Sequence, residues 1–446
     1  MVRSAVSSFV LNHGALCCGV VGEDGQHPTF VRLDTLDLEK LVEFSTVNGS
    51  DDLEYALEKV LEDLHSQKWT HLHETPGWKL VLLGHADQTD RVFVILVAHH
   101  AFMDGQGGMV SHREVFRALT QDDALCTLES TLEVSVIEVP SVVKLYPPVE
   151  ELMKVPTTWD FQIHNLWSTM CPSWLGNWFS QPSEWTGNPI TKECISNYRT
   201  RTHIYQIGTS DLENILTECK SQHTTPTSLV HAVAVVLLTK LVSAHSFLGH
   251  TPYTLRKWTG SDALRDIVNQ TSDTSCIYQH SWLTAIIKCN GNKKDESAVL
   301  WEIARFHRAE LTRELSQVPI NNGLATLGRY TDRHMANMRL VGKVRPLTFE
   351  VSNLGLINLE RCEGDLGPPN KPSVPFQPPW GHIDISQLTF TQSAMVSSAP
   401  LTLSVVSMSD GLAISTSWQP EALDEAVAKG FCRGLSDWLK YLGHGK

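Results

Sequence analysis

An apolar run, Val92-Phe93-Val94-Ile95-Leu96-Val97, leads into the pair His99-His100, and Asp104-Gly105 follows after three residues. A run of this length without a charge reads as a buried strand. Gly105, Gly107 and Gly108 read as a tight turn before an amphipathic stretch through Val115, Phe116 and Leu119. The order is strand, turn, helix, with ionisable groups where the strand stops. In α/β folds that edge is where reactive side chains are exposed.

Histidine titrates near neutral pH, so it can take a proton from an alcohol and return it elsewhere. Consecutive residues of a strand point to opposite faces, so at most one of His99 and His100 enters a given pocket while the other packs or orients it. Asp104 can bind backbone N–H groups or a buried arginine and hold the loop in shape. Gly105 is expected to supply a backbone conformation that a Cβ resists. Satisfied core or surface histidines are common in a chain with 20 of them; the spacing and placement favour a site here.

His99-His100-x-x-x-Asp104-Gly105 resembles the HHxxxDG motif of the chloramphenicol acetyltransferase-like superfamily. That group includes plant acyltransferases, peptide-synthetase condensation domains and fungal alcohol O-acetyltransferases. The fungal branch looks closest. Glu184-Trp185-Thr186-Gly187-Asn188-Pro189 is similar to its joining segment, Thr251-Pro252-Tyr253-Thr254-Leu255-Arg256 to its strand ending in Leu-Arg, and Val351-Ser352-Asn353-Leu354-Gly355 to its Ser-Asn-Leu-Gly strand end. The plant signature DFGWG is absent.

The resemblance implies an α/β fold of two chloramphenicol acetyltransferase-like domains, each a mixed sheet with flanking helices, and an active-site tunnel between them. It implies that His100 is the general base, supported by His99, and that Asp104 is structural, paired with an arginine. Arg256 is the candidate partner, with other arginines open. Ser352 and Asn353 either donate near a developing oxyanion or are an ordinary strand terminus. Acyl-CoA is implied as co-substrate, with no bound cofactor.

With 446 residues the chain can hold two domains with ample cores, and no apolar run approaches bilayer length. Asn12-His13 interrupts the first apolar stretch, a poor secretory segment, so a cytoplasmic monomer with no membrane partner is the expectation. Ten cysteines include no C-x-x-C spacing, so neither a metal site nor a disulfide framework is expected. The N-x-[ST] matches at Asn48 and Asn269 carry little weight without a signal peptide. A formal charge of -13 without a basic run argues against nucleic acid. Coenzyme A phosphates would need a local basic patch; Arg339, Lys343 and Arg345 either serve it or belong to a solvated edge strand.

Helical spacing of Leu53, Ala56, Leu57, Val60, Leu61 and Leu64, with Asp51 and Glu54 as a capping-box pair, predicts a helix. Trp78–His85 and Arg91–Ala98 predict the hairpin that delivers the histidines. Further helices are predicted at Thr227–Ala244, Asp295–Leu315 and Glu421–Leu442, and strands at Phe247–Leu255, Thr348–Asn353, His382–Phe390, Leu401–Met408 and Leu412–Trp418. Residues 366–380 read as a proline-rich loop. The domains read as residues 1–140, a Trp- and Pro-rich crossover at 141–198, and residues 199–446. Trp159, Trp167, Trp174, Trp178 and Trp185 cement the halves or, second, cover an apolar tunnel. An interfacial membrane helix ranks third, for want of a basic face.

The leading expectation is an acyl-CoA-dependent O-acyltransferase acting on a small apolar alcohol in fungal secondary metabolism or detoxification. No nucleophile motif such as G-x-S-x-G is present, so direct transfer is expected. The alternatives are a stand-alone condensation-like enzyme taking its acyl group from a carrier protein, and a repurposed fold acting as a cyclase or binding protein. The last is motivated by a leading strand that looks missing, which would leave Leu16–Val21 as a sheet edge to be covered by a loop or helix from elsewhere in the chain, or the tunnel open on that side.

Overall fold

The computed structural model describes residues 2–48, 52–87, 90–120, 135–163, 184–325, 337–359 and 383–444. Trp167, Trp174, Trp178, the cap residue Asp51 and the loop 366–380 lie outside them. The chain divides into two compact units, each built from several segments. The first comprises Met1–Pro148, Gly260–Gln270 and Leu356–Leu388; the second comprises Val149–Thr259, Thr271–Gly355 and Thr389–Lys446. These are not the three consecutive ranges read from the sequence, because two late segments join the first unit through contacts that local pattern does not encode.

In the first unit, β1 (Cys18–Val21) pairs antiparallel with β2 (Thr29–Arg32), and β3 (Thr35–Asp37) with β7 (Val136–Glu138). A three-stranded sheet has the order β4 (Val42–Val47), β5 (Trp78–His85), β6 (Val92–Ala98). β4 and β5 are parallel, joined through the helix Leu53–Ser66, whereas β5 and β6 form the antiparallel hairpin expected, with Trp78 opposite Ala98. β6 is only half buried, contrary to expectation, because it is an outer strand of this sheet.

Helix Leu53–Ser66 is capped by Asp52, whose side chain accepts the Glu54 N–H. With Asp52 as the cap, Glu54 is the second helical residue, and its carboxylate pairs with Arg91 at 2.6 Å. The β1 edge is covered, one of the two outcomes expected of it: β1 bonds to β2, and the Val20 N–H donates to the carbonyl of Leu72, in a turn, at 2.7 Å. Val6, Phe9, Val10, Leu16, Trp78, Leu80, Met103, Val110 and Val115 form the core, and the Trp78 indole N–H donates to Leu16 O at 2.9 Å.

The second unit is a six-stranded mixed sheet of order β10 (Thr271–Tyr278), β9 (Phe247–Thr254), β11 (Phe349–Leu356), β12 (Leu401–Met408), β13 (Gly411–Trp418), β8 (Arg201–Gly208). Its core gathers residues of the helices Pro226–Leu241, Lys293–Gln317 and Glu425–Gly443. Pro226–Leu241 is buried nearly all round, as its unbroken apolar sequence requires. Thr225 caps it by accepting the Ser228 N–H. The strand expected at 382–390 does not form; residues 383–390 carry no regular structure. Instead, the Ser415 hydroxyl donates to the Phe390 carbonyl, which ties this segment down through side-chain chemistry.

The Glu184–Pro189 segment is stitched into the second unit. The Trp185 N–H donates to Ser246 O, Gly187 has φ +72°, and a Cβ there would sit 2.5 Å from Ala422 O. Trp185 packs against the core, whereas Trp159 is exposed.

Candidate active site

β6 ends at Ala98, so His99 and His100 lie in the turn that follows the strand. Strand alternation, the expected determinant, therefore does not set their directions. Two backbone bonds do: the His99 N–H donates to Gly77 O at 2.8 Å, and the Phe102 N–H donates to His99 O at 3.0 Å. Phe102 is buried with its ring against Gly77, where an added Cβ would come within 2.3 Å of it. Gly77 is required by this close approach, not by its φ.

His99 is half buried between Trp69 and Phe102, with ring centroids 6.4 and 6.0 Å away and edges directed at faces. Its Nδ1 accepts the Ala101 N–H at 3.2 Å, which puts the proton of the neutral ring on Nε2. Burial pulls His99 below the ordinary histidine range, against the Glu23 carboxylate, which raises it. His100 is exposed, and among the described residues no hydrogen bond engages its imidazole. One ring of the pair is thus packed and neutral, and the other is presented.

Asp104 is buried and caps the helix Gly105–Thr120. Its Oδ1 accepts the Gly107 N–H at 2.8 Å, an N-cap bond to the third helical residue. Its Oδ2 accepts the Gln270 N–H at 3.1 Å, and its own N–H donates to Val268 O at 3.0 Å. The glycines expected to form a turn are the first turn of this helix. Gly105 is its first residue and does not adopt a positive φ; the cap on Asp104 lets the helix begin there. Gly107 is closely surrounded: a Cβ there would lie 3.1 Å from Met103 Cβ and in ordinary contact with Val268 O.

Val268–Gln270 was absent from the expected site. Beyond the bonds to Asp104, the Asn269 Nδ2 donates to His100 O at 2.6 Å. The only sequence signal there was the N-x-T match at Asn269, which points to different chemistry.

The remaining expected residues lie in the second unit. Arg256 is buried, but it lies beyond β9, which ends at Thr254 and not in Leu-Arg; it opens the one-turn helix Arg256–Thr259, its N–H donating to Thr254 Oγ1. Ser352 and Asn353 lie inside β11, not at its end, because the strand continues to Leu356. Ser352 is buried; the Asn353 amide donates to Thr227 Oγ1 at 3.0 Å and accepts the Gly355 N–H at 2.7 Å. Arg345 is buried, with its guanidinium donating to the carbonyls of Asn188, Met395 and Val396. It therefore joins neither a basic patch nor a solvated edge. Arg339 and Lys343 are exposed.

A family model described as alcohol acetyltransferase matches residues 27–436. The chain is 26% identical to "Probable alcohol acetyltransferase FCK4" of Fusarium pseudograminearum, over 99% of this chain and 86% of that one. It is 24% identical to "Probable alcohol acetyltransferase crmB" of Aspergillus fumigatus, over 98% and 89%. Among solved structures it resembles in fold the TRI3 trichothecene 15-O-acetyltransferase of Fusarium sporotrichioides, with a TM-score of 0.67 and 15% identity over 100% of this chain and 86% of that one. It also resembles the epimerization domain of tyrocidine synthetase B, with a TM-score of 0.55 and 15% identity over 99% and 88%.

Proposed function

Because the chain belongs to the alcohol acetyltransferase family and is an acyltransferase, we propose that it moves an acetyl group from acetyl-CoA to a hydroxyl of a small apolar metabolite. The observation that carries the assignment of His100 as general base is the division of labour in the turn. His99 is packed between two rings, Asp104 is committed to the Gly107 and Gln270 N–H groups, and the His100 imidazole alone is presented.

In the proposed reaction His100 takes the hydroxyl proton as the oxygen attacks the thioester carbonyl. The tetrahedral intermediate collapses, the C–S bond breaks, and the imidazolium returns the proton to the departing thiolate. No covalent enzyme intermediate is required. Ser352 and the second amide hydrogen of Asn353 are the donors proposed for the oxyanion, and Arg256 is the charged partner proposed for Asp104. An ionised carboxylate accepts more hydrogen bonds than those from the Gly107 and Gln270 N–H groups.

The test is incubation with labelled acetyl-CoA and a metabolite extract, with free thiol and labelled ester both followed. Ester formation matched by thiol release supports the reading. No transfer from acetyl-CoA, with transfer from an acylated carrier protein, would replace the donor.

A further inference from the structure

We propose that Asn269 is a positioning residue for His100, an inference that rests on the reading of His100 as the base. The motif is anchored at both ends. His99 is held by Gly77 O and by ring contacts, and Asp104 by the helix cap and Gln270. Between them Phe102 and Met103 are buried, whereas His100 and Ala101 are exposed. The His100 peptide is therefore the free-standing part of the turn. Among the described residues the hydrogen bond that fixes it comes from Asn269 Nδ2, at 2.6 Å to the His100 carbonyl.

The donor is itself rigidly mounted. Val268 O accepts the Asp104 N–H and the Gln270 N–H donates to Asp104 Oδ2, so the backbone is clamped on either side of Asn269. The two flanking side chains are buried, and that of Asn269 is directed outward to His100. Asp104 thus locates the strap, and the strap locates His100. Misplacing a reacting group by about 1 Å can cost on the order of a hundredfold in rate.

The experiment compares Asn269→Asp and Asn269→Ala with wild type for acetyl transfer from acetyl-CoA. Asn269→Asp keeps the volume, removes the N–H donor and places an oxygen against the His100 carbonyl. Both variants are expected to lower kcat about 10- to 100-fold with KM for acetyl-CoA within about twofold, because the group is placed and not bound. Melting temperature is expected to stay within about 2 °C, and neither change should lower the residual rate further in a His100→Ala background. A wild-type kcat per folded enzyme in both variants overturns the proposal, as does the same fold-loss with His100 removed. A failure of the base reading shows separately, as full activity in His100→Ala alone.

Discussion

Asp104 Oδ2 accepts the backbone N–H of Gln270 at 3.1 Å, across 166 residues of sequence. The same carboxylate caps the helix that follows the histidines through Gly107. One buried side chain therefore fixes two things: where the helix starts, and which distant segment lies beside His100. Both bonds are structural: one caps a helix and the other joins two distant stretches of backbone.

Replacing His100 with alanine is expected to lower kcat/KM for acetyl transfer by roughly 10²- to 10⁴-fold while leaving the melting temperature near that of wild type. His99→Ala should show the opposite balance, with less lost activity and more lost stability, because its ring packs between Trp69 and Phe102. Steady-state kinetics with thermal melts of both variants checks this. Comparable rates in His100→Ala and wild type would remove His100 as the base.

Asp104→Asn is expected to lower stability and activity together. One oxygen can still cap Gly107, but the amide nitrogen then meets the Gln270 N–H, donor against donor. A buried backbone donor left without a partner costs about 1–3 kcal/mol. Denaturant melts alongside activity measure it; full stability with a collapsed rate would instead give Asp104 a direct part in the chemistry.

Gly77→Ala probes the support beneath the histidines. The new methyl group would overlap the buried Phe102 ring at 2.3 Å, so the ring or strand β5 must move. Overpacking of this kind typically costs about 1–3 kcal/mol. Since Gly77 O also holds the His99 N–H, a drop in kcat should accompany the lowered melting temperature. An unchanged variant would show that the turn does not depend on this contact.

The second unit predicts a two-sided pH response. His231 and His307 stack at 3.8 Å, bonded to Thr251, Tyr278 and Ser228, and burial holds His231 well below the histidine range and His307 at about 4. The native state binds fewer protons there than the unfolded chain, so their contribution is present above about pH 6.5 and lost as pH falls toward 4. Glu350 runs the other way. Burial raises it to about 7, with the Gln392 amide on Oε1, His250 Nε2 3.9 Å from Oε2 and Asp273 raising it further. Its contribution is present below about pH 4.5 and lost as pH rises through 7. Glu350→Gln should therefore melt higher than wild type at pH 8, with the gain shrinking toward pH 5. A gain independent of pH in a melting series would refute the assignment to this carboxyl.

The sequence by itself determined the parts whose information is local. Alternating and continuous apolar runs placed β5, β6, β9, β12 and β13, and helical spacing placed Leu53–Ser66 and Pro226–Leu241, because burial demands those periods. The spacing of His99, His100 and Asp104 is also local information, because one turn between β6 and the helix Gly105–Thr120 holds all three. Where local chemistry offered two readings, the sequence misled. The Gly105–Gly108 run reads as a turn, but a cap bond from the preceding carboxylate makes it a helix start. Only the tertiary structure decided what surrounds the motif. Gln270 and Asn269 reach Asp104 and His100 from 166 and 169 residues away, and Arg345 turns inward to three carbonyls instead of outward to solvent. Such partners leave no periodicity, because a backbone N–H or carbonyl is present at nearly every residue and packing alone selects which one is met.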